Sequence, residues 1–108
     1  MTGFRLTAFI EAEVGLLPSD RGGRRSPIAN GYRCNCWVGH CDNNGRHVYN
    51  DATFYLIDAD RLAPGATSQA RVEPHMPDSW SHLEVGSTFE LCEGSRIIGT
   101  AKVIDLFP

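Results

Sequence analysis

From Phe4 to Val14 the chain alternates with a period of two, with Phe4, Leu6, Ala8, Ile10, Ala12 and Val14 on one side and Arg5, Thr7, Phe9, Glu11 and Glu13 on the other. That period fits a half-buried strand and misfits a helix, whose apolar positions recur every three or four residues. Turn chemistry divides the rest of the chain into further short segments. Leu17-Pro18-Ser19-Asp20 and Gly22-Gly23 end the first strand, and the stretch up to Asn30-Gly31 is too rich in Gly, Pro, Asn and Ser for regular structure. Strands are predicted over Tyr32 to Val38 and Val48 to Ile57, separated by the turn signal Asp42-Asn43-Asn44-Gly45. A short strand follows the Ala63-Pro64-Gly65 turn, around Ser68 to Val72, and a polar loop between Pro74 and the last hairpin carries Trp80. That hairpin joins Ser87 to Leu91 with Arg96 to Leu106 through Glu93-Gly94-Ser95. No segment has sustained helical periodicity, and six short strands in this length predict a small all-β barrel or sandwich.

The 108 residues suit one domain spanning 1–108, and 42% hydrophobic with 21% charged residues is the composition of a folded soluble protein. The apolar run from Arg96 to Phe107 is interrupted by Gly99, Thr100, Lys102 and Asp105, so no membrane span is expected. The opening residues lack a basic-then-apolar signal peptide, so the expectation is a cytoplasmic protein whose four cysteines are reduced thiols. The net charge of −3 is unevenly spread. Between Asp20 and Arg33, four arginines (Arg21, Arg24, Arg25, Arg33) face a single acid, giving a local basic patch on an acidic body.

Four motifs keep a common order: Glu11-Ala12-Glu13-Val14, Gly22-Gly23-Arg24-Arg25-Ser26-Pro27 with Gly31-Tyr32-Arg33, Ala63-Pro64-Gly65, and Phe89-Glu90-Leu91-Cys92-Glu93-Gly94-Ser95-Arg96-Ile97-Ile98-Gly99-Thr100. In order and spacing they resemble the third, C-terminal domain of elongation factor Tu, from about Phe4 to Leu106. Departures from the family pattern fall at Cys34, Asn35 and Cys36, and the segment from His40 to Tyr49 has no close counterpart. The resemblance implies an all-β, six-stranded antiparallel β-barrel that binds tRNA or a protein of the translation machinery. By position it carries the RNA contacts onto Arg24, Arg25, Asn35 and Gly94. Arginine forks match phosphate oxygens, and a glycine admits a close sugar-phosphate backbone. The bland alternative for Arg24 and Arg33 is hydrogen bonding within their own loop or plain solvation. Arg33, Arg96 and Trp80 are further candidates for a partner surface, since tryptophan and arginine are frequent anchors.

Cys34, Cys36, His40, Cys41 and His47 lie close enough in sequence to raise the question of zinc. Two cysteines two apart on a strand share one face, unlike the Cys-x-x-Cys knuckles of structural zinc sites; with Asn35 outward, as the resemblance implies, Cys34 and Cys36 are expected in the core as small hydrophobes, and no metal is expected. A Cys41 nucleophile beside a histidine lacks an oxyanion element or orienting third group, and His75 and His82 read as surface residues. No Gly-x-x-x-x-Gly-Lys-Ser/Thr loop occurs, and Lys102 is the only lysine, so neither nucleotide nor any other cofactor is expected. The resulting expectation is a non-catalytic module that binds RNA or a translation protein. The alternative is a protein-interaction, regulatory or immunity-type module without RNA binding. A metal-binding or redox module built on Cys34, Cys36 and Cys41 is the third reading.

Overall fold

The computed structural model describes residues 9–107, so the part of the first alternating segment at residues 4–8 lies outside the described residues. The strands are β1 (Phe9–Leu16), β2 (Ile28–Ala29), β3 (Tyr32–Trp37), β4 (Asn50–Leu56), β5 (Arg61–Leu62), β6 (Thr67–Pro74), β7 (Thr88–Glu93) and β8 (Arg96–Phe107). Six of them close into an antiparallel barrel in the order β1-β6-β4-β3-β7-β8, and β2 pairs with β5 as a small separate ribbon. The all-β barrel expected from the turn spacing is therefore present. The β2–β5 ribbon is an addition, since two-residue strands inside a Gly- and Pro-rich loop leave no alternation to detect.

The alternation in β1 sets its register. Ile10, Ala12, Val14 and Leu16 point inward and are buried, with Ala12 opposite Ala70 on β6 and Val103 on β8. A slip of one residue would turn this apolar row to solvent and bring Glu11 and Glu13 inward. Small side chains at Ala12, Ala52, Ala70 and Ala101 leave the interior to Phe54, Leu91, Ile98 and Val103, all buried. Mixing small and large residues in this way fills a narrow barrel without voids.

Two bulges adapt the ladder. One lies between Glu11 and Ala12 against β8, and the other between Leu91 and Cys92, where consecutive residues both turn inward. Cys34, Cys36 and Cys92 are buried, the first two as expected, and Cys41 is exposed.

Trp80 departs from expectation. A one-turn 3-10 helix, Pro77–Trp80, folds the indole into the core, where it is 1% exposed and meets Phe89 edge-on at 5.1 Å between centroids. Its side chain therefore offers no partner surface. Burial of so large an aromatic group outweighs the cost of an indole N–H that finds no acceptor among the described residues. Two histidines fasten the same end of the barrel. The His40 Nε2 lies 2.7 Å from the Ser79 carbonyl oxygen, and the His82 Nε2 lies 2.6 Å from that of Val38. A carbonyl only accepts, so each ring carries its proton on Nε2. His40 thus ties the β3–β4 connection to the 3-10 turn, and His82, exposed as expected, ties the segment after Trp80 to Val38 just past β3.

Burial pushes the Cys92 thiol up to about 11, with further contributions from Cys34 and Glu90. The hydrogen bond to Cys34, together with burial, raises that of Cys36. A thiol reagent at neutral pH should consequently modify Cys41 rapidly and Cys34, Cys36 and Cys92 only after denaturation. Mass spectrometry of the time course checks this, and a second thiol reacting at the Cys41 rate would contradict the described core.

Candidate functional site

The loop after β1 is folded back on itself before it reaches the arginines. The Gly23 amide donates to the Pro18 carbonyl at 3.0 Å, and a Cβ on Gly23 would sit 2.1 Å from the Leu17 carbonyl oxygen, so only glycine fits. The Ser19 hydroxyl then donates to the Arg24 carbonyl at 2.7 Å. These contacts aim the Arg24 side chain across the barrel rim toward the β7–β8 turn. Gly94 makes that turn with a φ of 63°.

Arg24, Tyr32, Glu93 and Arg96 form one connected cluster. The Arg24 Nη1 donates to Glu93 Oε2, its Nε donates to the Ser26 carbonyl at 3.1 Å, and its Nη2 donates to the Ser26 hydroxyl at 3.2 Å. The guanidinium carbon lies 5.1 Å from the centroid of the Tyr32 ring. The Tyr32 hydroxyl donates to Glu93 Oε2 at 2.8 Å, and the Arg96 Nη2 donates to Glu93 Oε1 at 3.1 Å. Beside them the Asn35 side-chain amide lies 3.4 Å from the Gly94 carbonyl oxygen.

Burial alone would raise the Glu93 carboxyl. Hydrogen bonds from Tyr32 and Arg24, the charge of Arg24 and the hydrogen bond from Arg96 together outweigh it and hold the group below its ordinary value of 4.5. Burial, followed by the hydrogen bond to Glu93, raises the Tyr32 hydroxyl. The cluster is therefore a carboxylate held between two guanidiniums and a neutral phenol.

This geometry brings together Arg24, Asn35, Gly94 and Arg96, four of the residues singled out in the sequence. It also divides their roles. Each nitrogen of the Arg24 guanidinium is engaged by protein: Nε and Nη2 bond within the loop to Ser26, the alternative weighed for this residue, whereas Nη1 crosses to Glu93. Arg25 next to it is exposed and forms no ion pair among the described residues. Arg96 keeps a side chain 55% exposed despite its bond to Glu93. Three arginines against one glutamate leave this rim with two net positive charges.

Arg33 points elsewhere. Its Nη2 lies 3.4 Å from His75 Nδ1, and His75 Nε2 lies 2.7 Å from the Thr53 hydroxyl. A guanidinium only donates, so His75 accepts on Nδ1, carries its proton on Nε2 and donates to Thr53. That tautomer gives Thr53 no base.

Tyr32 and Glu93 were missed as site residues, although each adjoins one that was named, Arg33 and Gly94. The legible signal was a lone acid in a turn directly before Gly94 and Arg96. Among the described residues no group of three or more His, Cys, Asp or Glu side chains converges as a metal site would require, and no helix is long and apolar enough to cross a membrane. No protein-family model matches the chain.

The depressed Glu93 carboxyl has a pH consequence. A carboxyl whose folded value lies below its unfolded value contributes stability in full above about 4.5, and that contribution is lost as pH falls through the folded value. Urea midpoints of wild type should therefore drop below pH 4.5 more steeply than those of Glu93→Gln. The variant should be about 1 kcal/mol less stable at neutral pH, a modest figure because the cluster is partly solvated. Parallel pH profiles for the two proteins would exclude this role for Glu93.

Proposed function

We propose that the protein is a non-catalytic binding module that docks the sugar-phosphate backbone of a folded RNA, such as the helical part of a tRNA, on the rim formed by the Arg24 loop and the β7–β8 turn. The observation that carries this reading is the Glu93 cluster, which fixes the arginine loop against the turn and leaves Arg25 and Arg96 exposed beside Asn35 and Gly94. Two cations near an open backbone turn suit successive phosphates of an A-form helix, with Asn35 and Gly94 toward the sugars. Arg24 acts as a positioning residue in this scheme, since its donors are already used. The resemblance to the third domain of elongation factor Tu supports the same reading by position. The overall net charge of −3 makes the attraction local and weak.

A second reading, a protein partner with acidic side chains on the same rim, is favoured by one observation: Glu93 already cancels one of the three guanidinium charges. RNA binding separates the two. Binding to unrelated RNA duplexes should be weak, indifferent to sequence and steep in salt. Replacing Arg25 and Arg96 together by alanine should lower affinity equally for all duplexes and flatten the log–log salt slope by about two units, one for each lost phosphate contact. Failure of wild type to bind tRNA or duplex RNA at low salt would reject the RNA reading and leave the acidic protein partner.

A further inference from the structure

At the opposite end of the β3–β7 seam from the arginine rim lies an open cavity of about 190 Å³ on the outer barrel wall. Trp37, Thr88, Glu90 and Thr100 line it together with the buried Val38 and Phe89. Trp37 and Glu90 are direct cross-strand partners, as are Glu90 and Thr100. Glu90 therefore stands between an indole and a threonine hydroxyl.

Two features make this a prepared site. The indole is fixed, because Trp37 Nε1 donates to the His40 carbonyl at 2.8 Å and the ring stacks on His47 at 3.7 Å with 7° between planes. The Glu90 carboxylate is half-buried and forms no salt bridge among the described residues. An immobile aromatic wall beside an unpaired carboxylate is complementary to an organic cation, which gains from the ring quadrupole and the negative charge at once.

We infer that this cavity receives the guanidinium of an arginine side chain projecting from a partner polypeptide. The planar fork matches the Glu90 carboxylate, stacks on an indole and is weakly hydrated, so it enters a partly apolar recess more readily than an ammonium does. The volume suits a side-chain head and the end of its stem and leaves no room for a folded segment. A net charge of −3 on the whole chain favours approach of a basic partner. The site is separate from the arginine rim and stands whether or not the rim binds RNA.

The test is an NMR titration following the Trp37 indole N–H, assigned by its loss in Trp37→Phe. The ligands are acetyl-Gly-Arg-Gly-amide, the same peptide with citrulline for arginine, and free L-arginine. The arginine peptide should shift the resonance with a dissociation constant in the millimolar range, and citrulline, which keeps the shape without the charge, should bind about fivefold or more weaker. Glu90→Gln should reduce the arginine peptide to the citrulline level. Thr100→Lys, which sets a competing cation on the wall, should abolish the shift, and the Arg25 and Arg96 alanine pair should leave it unchanged. Equal binding of the arginine and citrulline peptides, or full binding by Glu90→Gln, would overturn the site. Free arginine binding about tenfold tighter than the blocked peptide would overturn the polypeptide as its source.

Discussion

The structure depends on how the seam between β3 and β7 is closed. A barrel survives only if every strand is paired on both sides, because an open seam exposes a row of unpaired backbone groups. β1 pairs with β6 on one side and with β8 on the other along long registers, whereas β3 pairs with β7 only from Asn35 to Trp37. Before Asn35 the two strands part, and side chains take over. The Cys34 thiol lies 3.4 Å from the Cys92 carbonyl oxygen, and Tyr32 and Arg24 both reach Glu93. The bulge at Leu91 and Cys92 lies on the other edge of β7, against β8, where two consecutive residues are buried.

Closing the seam and shaping the arginine rim are therefore one event. Glu93 satisfies Arg24 and Arg96, and in doing so it ties a loop that follows β1 to a turn that follows β7, far apart in sequence. The arginine that looked most like a ligand contact is spent on this tie, and its neighbour Arg25 is left facing outward. At the other end of the same seam the paired positions Trp37 and Glu90 carry the opposite character, an aromatic wall with a carboxylate. One small barrel thus carries a cationic rim and an acidic recess. Their common seam places both on the least heavily paired part of the barrel.

How much of this was legible in the sequence follows from the range of each interaction. The period-two pattern of β1 and the Gly-rich turns are local, so the strands and their order along the chain could be read directly, while the inward placement of Cys34 and Cys36 rested on the resemblance at Asn35. Trp80 could not, because a tryptophan among Pro, Asp, Ser and His looks solvated until the 3-10 turn carries it beneath the barrel end. Glu93 was read as part of a turn, because its pairing with Arg24 spans 69 positions and only the closed barrel brings the two together. Glu90 and Trp37 were likewise seen as ordinary strand residues, since the recess between them arises from cross-strand pairing and the His47 stack. His40 and His82 fasten two connections that have no periodic pattern, so their roles too required the fold.

The most direct measurement of this account is amide hydrogen exchange under native conditions, compared between wild type and a Tyr32→Phe, Glu93→Gln double variant. The account predicts faster exchange confined to the amides of β3 and β7 near Cys34, Asn35, Cys92 and Glu93, with the β1–β6 and β1–β8 ladders protected as in wild type. Acceleration spread evenly over all six barrel strands, or none at the β3–β7 seam, would contradict the claim that these side chains close the barrel.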